Sequence, residues 1–405
     1  MPRGHAACQT LACTNRILRT EVMALAPGRS VQRFQIRPIT PDGKLVVFDE
    51  PWSSRLAWLQ LLWLADNEDA IRARFPGGGP EKSRAFKEFR AFLYQAKAYY
   101  VAAESTEGVA SALPFYYSFL NLAKAELLLS RGTSFLNSSL GHGIRAPNPA
   151  RGVQLDRLRI INGVFRWLYT DRLGHGPPED EIPVARVLRN VRPLGYEFDH
   201  SGIGAAATYG GWHAIAIDEQ RMWSIIALDT RLAGSSSNPT NQAILRNFTP
   251  VQIQRNWKEI FGVSLRSVVQ AQAVLESKYQ QPVERGVEGA ALSAHFEKQS
   301  AAAWKALAGI ADFSHLPTHD FIVCPHLYES RPWPMPASLA AYATLFYVSS
   351  LVRYAPSLLD PRDNPRQAWL LSAAPAEVAP LLLHAAVNRI DATHSFYWAP
   401  EAMRA

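Results

Sequence analysis

Residues 113–129, LPFYYSFLNLAKAELLL, decide the fold class. Apolar side chains fill almost every position, no β-branched run interrupts them, and Pro114 falls in the first turn, where its missing N–H leaves no helical bond unmade. The helix should begin near Ser111 and stop near Ser130, because Gly132 can take the left-handed conformation that ends a helix. Asn121 and Lys124 lie one turn apart on this otherwise apolar segment. A cation in such surroundings requires a reason: its ammonium snorkels past the bundle edge, joins a polar network with a carboxylate such as Glu104, or holds a ligand.

Working outward, Ser83 to Glu104 sets Phe86, Phe89, Leu93, Ala96 and Tyr100 on one face, with Lys87, Arg90 and Lys97 largely opposite. A Ser-Thr-Glu-Gly link then turns the chain, so these two helices should form an antiparallel pair. Pro51 opens an earlier helix through Leu56, Leu59, Trp63 and Ile71, ended by Pro76-Gly77-Gly78-Gly79-Pro80. Residues 31–48 alternate around Pro41-Asp42-Gly43, which predicts a hairpin or edge arm. WHAIAID and MWSIIALD, within 208–230, predict a second hairpin. Thr249-Pro250 reads as a helix start with its end at Gly262. After Pro332-Trp333-Pro334-Met335-Pro336, the segment Ser338–Tyr354 is apolar around nearly its whole circumference, the pattern of a central buried helix. A last helix is expected to start near Pro375 or Pro380 and reach about Ile390. The class is mainly α with some β (α+β): helical bundle lobes, a small antiparallel insertion and a short N-terminal hairpin.

Composition agrees with a packed core. Of 405 residues, 48% are apolar and 11% aromatic, against 19% charged, which excludes a disordered solvating chain. The formal net charge is +7 and arginine outnumbers lysine, compatible with an anionic partner, but no run of like charges marks a nucleic-acid tail. Three cysteines, Cys8, Cys13 and Cys324, make neither a disulfide framework nor a Cys-x-x-Cys pair, and a cytoplasmic location fits them. Neither a signal-peptide core nor an uninterrupted membrane-length apolar run is seen, so no membrane association is expected. Met23 offers a second start, with residues 1–22 an extension.

Four separated segments carry a resemblance: ALPFYYSFLNLAKAELLL (112–129), HGI (142–144), NGVFRWL (162–168) and LFYVSSLVRYAP (345–356). In content and order they resemble the YaaC-like proteins of bacteria, from roughly Trp52 onward. More loosely, the Tyr-Tyr helix with its downstream His-Gly is similar to HEPN domains, helical bundles that include RNA-cleaving toxins and defence nucleases. There, an arginine followed four to six residues later by histidine supplies metal-independent cleavage. Arg131 stands too far from His142 to match, whereas Arg389 and His394 in NRIDATH have the spacing. With the resemblance, the chain divides into an extension and β arm (1–48), a HEPN-like helical lobe (49–150), a mixed segment with a hairpin (151–235) and a C-terminal helical lobe (236–405).

The candidate ligand-binding residues are Asn121, Lys124, His142 and Arg353. His142 lies between glycines that permit close approach of a ligand or another backbone, and Arg353 ends the most apolar helix, where it also suits the negative helix terminus. Candidate catalytic residues are Arg389 and His394, with the histidine as general acid or base and the arginine on the phosphorane-like state; a helix-end arginine on terminal carbonyls is the competing reading. His315, His319 and His326 fall near Asp312 and Asp320, but loop spacing imposes no ligand geometry, so no metal is assigned. Phosphate loops, dinucleotide fingerprints, zincin motifs and nucleophile elbows are absent, and no cofactor is expected. The expected partner is a nucleotide or nucleic acid, held without catalysis in a cleft between lobes. The alternatives are a HEPN-type endoribonuclease in phage defence or a toxin system, and a scaffold with a protein partner.

Overall fold

The computed structural model describes residues 52–137, 141–148, 150–217, 221–228, 239–246, 248–250, 267–271, 277–278, 300–307, 309–314, 321–328 and 330–397, with short strands between 23 and 48. Helix α1 (Ser54–Asp66) starts where the Ser53 hydroxyl accepts from the Leu56 N–H, and buries Ala57, Trp58, Leu61, Leu64 and Ala65 on one face. Helix α2 (Gly79–Glu104) begins four residues earlier than its apolar pattern suggests. Pro80 occupies its first turn and the Glu81 carboxylate accepts the Gly78 N–H at 2.7 Å. Helix α3 (Ala112–Arg131) ends at Gly132, whose φ is +62°. The pair is antiparallel: Tyr100 of α2 meets Phe115 and Phe119 of α3, while Ser118 Oγ donates to the Ala96 carbonyl at 2.8 Å.

Helices α4 (Val164–Leu173), α5 (Ala337–Tyr354) and α6 (Pro365–Asp391) complete the long helices. Every residue of α5 from Ala337 to Leu351 is buried, as its all-round apolar pattern requires. Helix α6 begins well before the expected prolines. Asn364 caps it by accepting the Gln367 N–H, and Pro375 and Pro380 lie inside the helix. An interior proline costs roughly 3 kcal/mol. Burial of Leu370, Leu371, Val378, Leu381 and Leu383 in the common core offsets that penalty. Among the described residues α6 is the helix long and apolar enough to cross a membrane, but 72% of its most apolar stretch is buried inside the protein.

The hairpin within 208–230 is present, Tyr209–Ile217 against Arg221–Leu228. It is the centre of an eight-stranded sheet, larger than the insertion expected. The N-terminal arm forms the edge-arm alternative and not the hairpin. Strands Arg33–Ile36 and Lys44–Phe48 do not pair with each other: the first lies antiparallel on Tyr209–Ile217 and the second parallel to Thr393–Tyr397. Phe248–Pro250, read as a helix start, is a strand on Ser267–Ala271, and residues 251–262 lie outside the described set. A second, three-stranded sheet orders His142–Arg145, Arg157–Gly163 and Glu181–Pro183.

A buried charged network joins helices and sheet. Arg172 on α4 donates to both Glu126 oxygens on α3, at 2.6 and 2.9 Å, and to Ser338 Oγ at the start of α5. The Ser338 N–H and hydroxyl donate to Asp312 on the strand Ala311–Phe313, and Arg389 of α6 pairs with the other Asp312 oxygen at 3.2 Å.

Candidate functional site

His142 is fixed by glycines. Gly143 has φ +78°, and a Cβ there would lie 2.7 Å from the Gly163 carbonyl carbon and also strike the Phe165 nitrogen. Gly163, with φ +140°, would meet Gly141 and Gly143 in turn. Only glycine allows the 142–145 strand to close this tightly onto the turn that opens α4. The Val164 N–H seals it by donating to the Gly141 carbonyl at 3.1 Å.

This closure presses the imidazole onto α3 and α5. Tyr116 Oη is 2.7 Å from His142 Nδ1, and the Tyr116 ring touches Tyr342 and Phe346. Burial holds the Tyr116 phenol well above its ordinary range, so it keeps its proton at neutral pH. His142 lies below the ordinary imidazole range, through burial first and then through the charges of Arg353 and Lys124. A neutral imidazole carries one ring proton, so the phenol donates to Nδ1 in one tautomer and accepts from it in the other.

The two flanking cations come from different helices. Lys124, half-buried on α3, sets its ammonium 5.4 Å from the Phe92 ring centre, and burial lowers its pKa. Glu104, the expected partner, instead accepts from Ser54 Oγ at 3.2 Å. Arg353, in the last turn of α5, donates through Nε to the Ser349 carbonyl and lies over the exposed Tyr354 ring. Asn121 is buried on α3, its amide donating to the Tyr117 carbonyl at 2.9 Å. Lys124, His142 and Arg353 therefore share one electrostatic neighbourhood, with Asn121 turned onto its own helix. Tyr116 and Tyr342 are the site residues that sequence reasoning passed over. The Tyr-Tyr pair ahead of Asn121 was the trace of Tyr116, and Tyr342 lay within the helix expected to be buried on all sides.

Arg389 is engaged elsewhere: its guanidinium bonds Asp312 and lies 5.4 Å from the Phe313 ring centre. His394 is in the strand Thr393–Tyr397, opposite Leu45, and its side chain lies outside the described residues, as do His315, His319 and Asp320. Asp312 serves the charged network. Burial, and then Arg246, pushes His326 down to about 4, and its backbone N–H donates to Thr240 Oγ1. Among the described residues no three histidine, cysteine or acidic side chains gather as a metal site. A separate cavity of about 220 Å³ lies between α5 and the start of α6, with Tyr347, Leu351 and Leu371 among its apolar lining and Arg151, Asn364 and Gln367 among its polar lining.

Residues 68–362 match a family model described as YaaC-like Protein. No curated protein and no solved structure matches the chain.

Proposed function

The chain belongs to the YaaC-like protein family, and from that premise and the surroundings of His142 we propose that it is a helical binding protein without catalysis of its own. Its ligand is an anion, a nucleotide or a segment of nucleic acid, held where α3, α5 and the 142–145 strand meet. One observation carries this reading: the half-buried His142 imidazole, held against Tyr116, feels the positive charges of both Arg353 and Lys124. A half-buried cation gains from a counter-charge, and an anion from solution can supply one.

Fluorescence binding of labelled RNA and of nucleotides, measured across salt, tests it. Binding should weaken as salt rises, and Lys124→Ala or Arg353→Ala should each reduce affinity by about tenfold, as expected for one charge-assisted hydrogen bond. Absence of salt-sensitive binding to either ligand overturns the reading.

An imidazole kept neutral by burial and two positive charges also suits general acid or base work on a phosphodiester, which keeps a metal-independent ribonuclease as a second reading. RNA incubated with the protein in chelator decides between them. Cleavage that disappears in His142→Ala or His394→Ala replaces the binding-only reading, and RNA left intact by the wild type removes the nuclease.

A further inference from the structure

We infer that the cavity between α5 and the start of α6 binds a small zwitterion with an aliphatic side chain, of the amino-acid or dipeptide class. Neither His142 nor Lys124 nor Arg353 lines it, so the inference stands apart from the anion-binding reading. The floor is apolar, made by the buried Tyr347 and Leu351 of α5 and Leu371 of α6. The rim is exposed and carries Arg151, Asp363 and Leu155, the last 59% exposed, an aliphatic side chain that a ligand would cover. At about 220 Å³ the space is smaller than the roughly 300 to 1,000 Å³ of pockets for drug-sized ligands, which suits a molecule of amino-acid size and not a nucleotide.

The charges on the rim set the ligand class. Arg151 and Asp363 line one cavity but do not pair with each other, and among the described residues neither side chain has another ion pair or hydrogen bond. The sequence neighbours that could satisfy them are engaged. Arg362 is held by Asp360 at 2.7 Å. Asp156 is buried and accepts the Arg151 N–H at 2.8 Å, the Gly152 N–H at 3.2 Å and the Tyr347 hydroxyl at 2.7 Å. An anion entering the cavity meets the repulsion of Asp363, and a cation that of Arg151. An uncharged apolar molecule takes water from both charges and gives nothing back. A zwitterion satisfies each in turn: its carboxylate accepts from the Arg151 guanidinium, its ammonium donates to Asp363, and its aliphatic part lies on the leucines of the floor.

The walls are set before a ligand arrives. Asp156 ties the backbone of 151–152 to the floor through Tyr347. Gly152, with φ +100°, faces the first turn of α6 closely: a Cβ there would lie 3.7 Å from Gln367 Oε1. On that side Asn364 fixes the helix start by accepting the Gln367 N–H at 3.3 Å. A site already held in shape loses little freedom on binding. Free amino acid and dipeptide share this chemistry and differ in the distance between their charges.

Titration calorimetry on the full chain at pH 7 tests the inference with leucine and glycylleucine as zwitterions, and with leucinamide and 4-methylpentanoate as analogues that each lack one charge. At least one zwitterion should bind about tenfold or more tightly than both analogues. Leucine as the tighter zwitterion identifies a free amino acid as the ligand, and glycylleucine identifies a dipeptide. Arg151→Gln should weaken the zwitterion about tenfold and leave leucinamide unchanged, and Asp363→Asn should weaken it similarly and leave 4-methylpentanoate unchanged. Both side chains are exposed, and unchanged urea midpoints will show that the variants remain folded. No saturable binding of either zwitterion, an analogue that binds as tightly as the better zwitterion, or wild-type affinity in both variants overturns the inference.

Discussion

At Gly143 a single hydrogen in place of a methyl decides where the site histidine points. Gly143→Ala adds a carbon where the Gly163 and Phe165 backbones already lie, and does so at a positive φ. The expected result is a loss of about 2 kcal/mol or more, read as a lower urea midpoint, together with a His142 ring signal no longer coupled to Tyr116. An unchanged midpoint would mean that the strand relaxes freely. The glycines beside His142 were legible in the sequence as a place of close approach. What they approach was not, because Gly163 comes some twenty residues later and nothing local announces it. Arg389 teaches the reverse lesson. Its spacing to His394 suggested chemistry, yet its partner Asp312 belongs to a strand far away along the chain.

Among the elements, α3 was readable almost to the residue, since its period, its early proline and its terminal glycine all agree. The start of α6 was misread because the local rule that proline opens a helix gave way to burial from all sides. In the N-terminal arm the strands fall where the alternation predicts, but their partners are remote and turn chemistry cannot name them. Glu126 and Arg172, both nearly buried, pair α3 with α4, as Arg131 and Asp171 do nearer the surface. Burial disfavours the Arg172 charge, and Glu126, joined by Asp312 and Tyr342, more than restores it. Glu126→Gln leaves that guanidinium without its counter-ion and should cost about 3 kcal/mol in chemical denaturation. Replacing both partners by apolar residues, Glu126→Leu with Arg172→Met, should cost less than the single change. If the double variant is the weaker of the two, the pair does more than compensate its own burial.

Across the whole molecule, acid should loosen the fold through its buried histidines. An unfolded histidine titrates near 6.5, whereas His326 in the folded chain is pushed down to about 4. The unfolded state thus binds more protons between these values, and stability falls as pH drops through that window. His142, shifted in the same direction, adds to the fall. Urea midpoints at pH 7 and pH 5 should differ more for the wild type than for His326→Asn; equal differences would show that this ring does not sense the transition. Composition foretold a helical core of this size, but not the eight-stranded sheet, whose strands are drawn from segments scattered between residues 33 and 323. The parallel pairing of Lys44–Phe48 with Thr393–Tyr397 carries this furthest. During synthesis the early strand has no mate until residues 393–397 have left the ribosome. For all that time its edge is open to any other nascent chain, so shielding by a chaperone matters most at that stage.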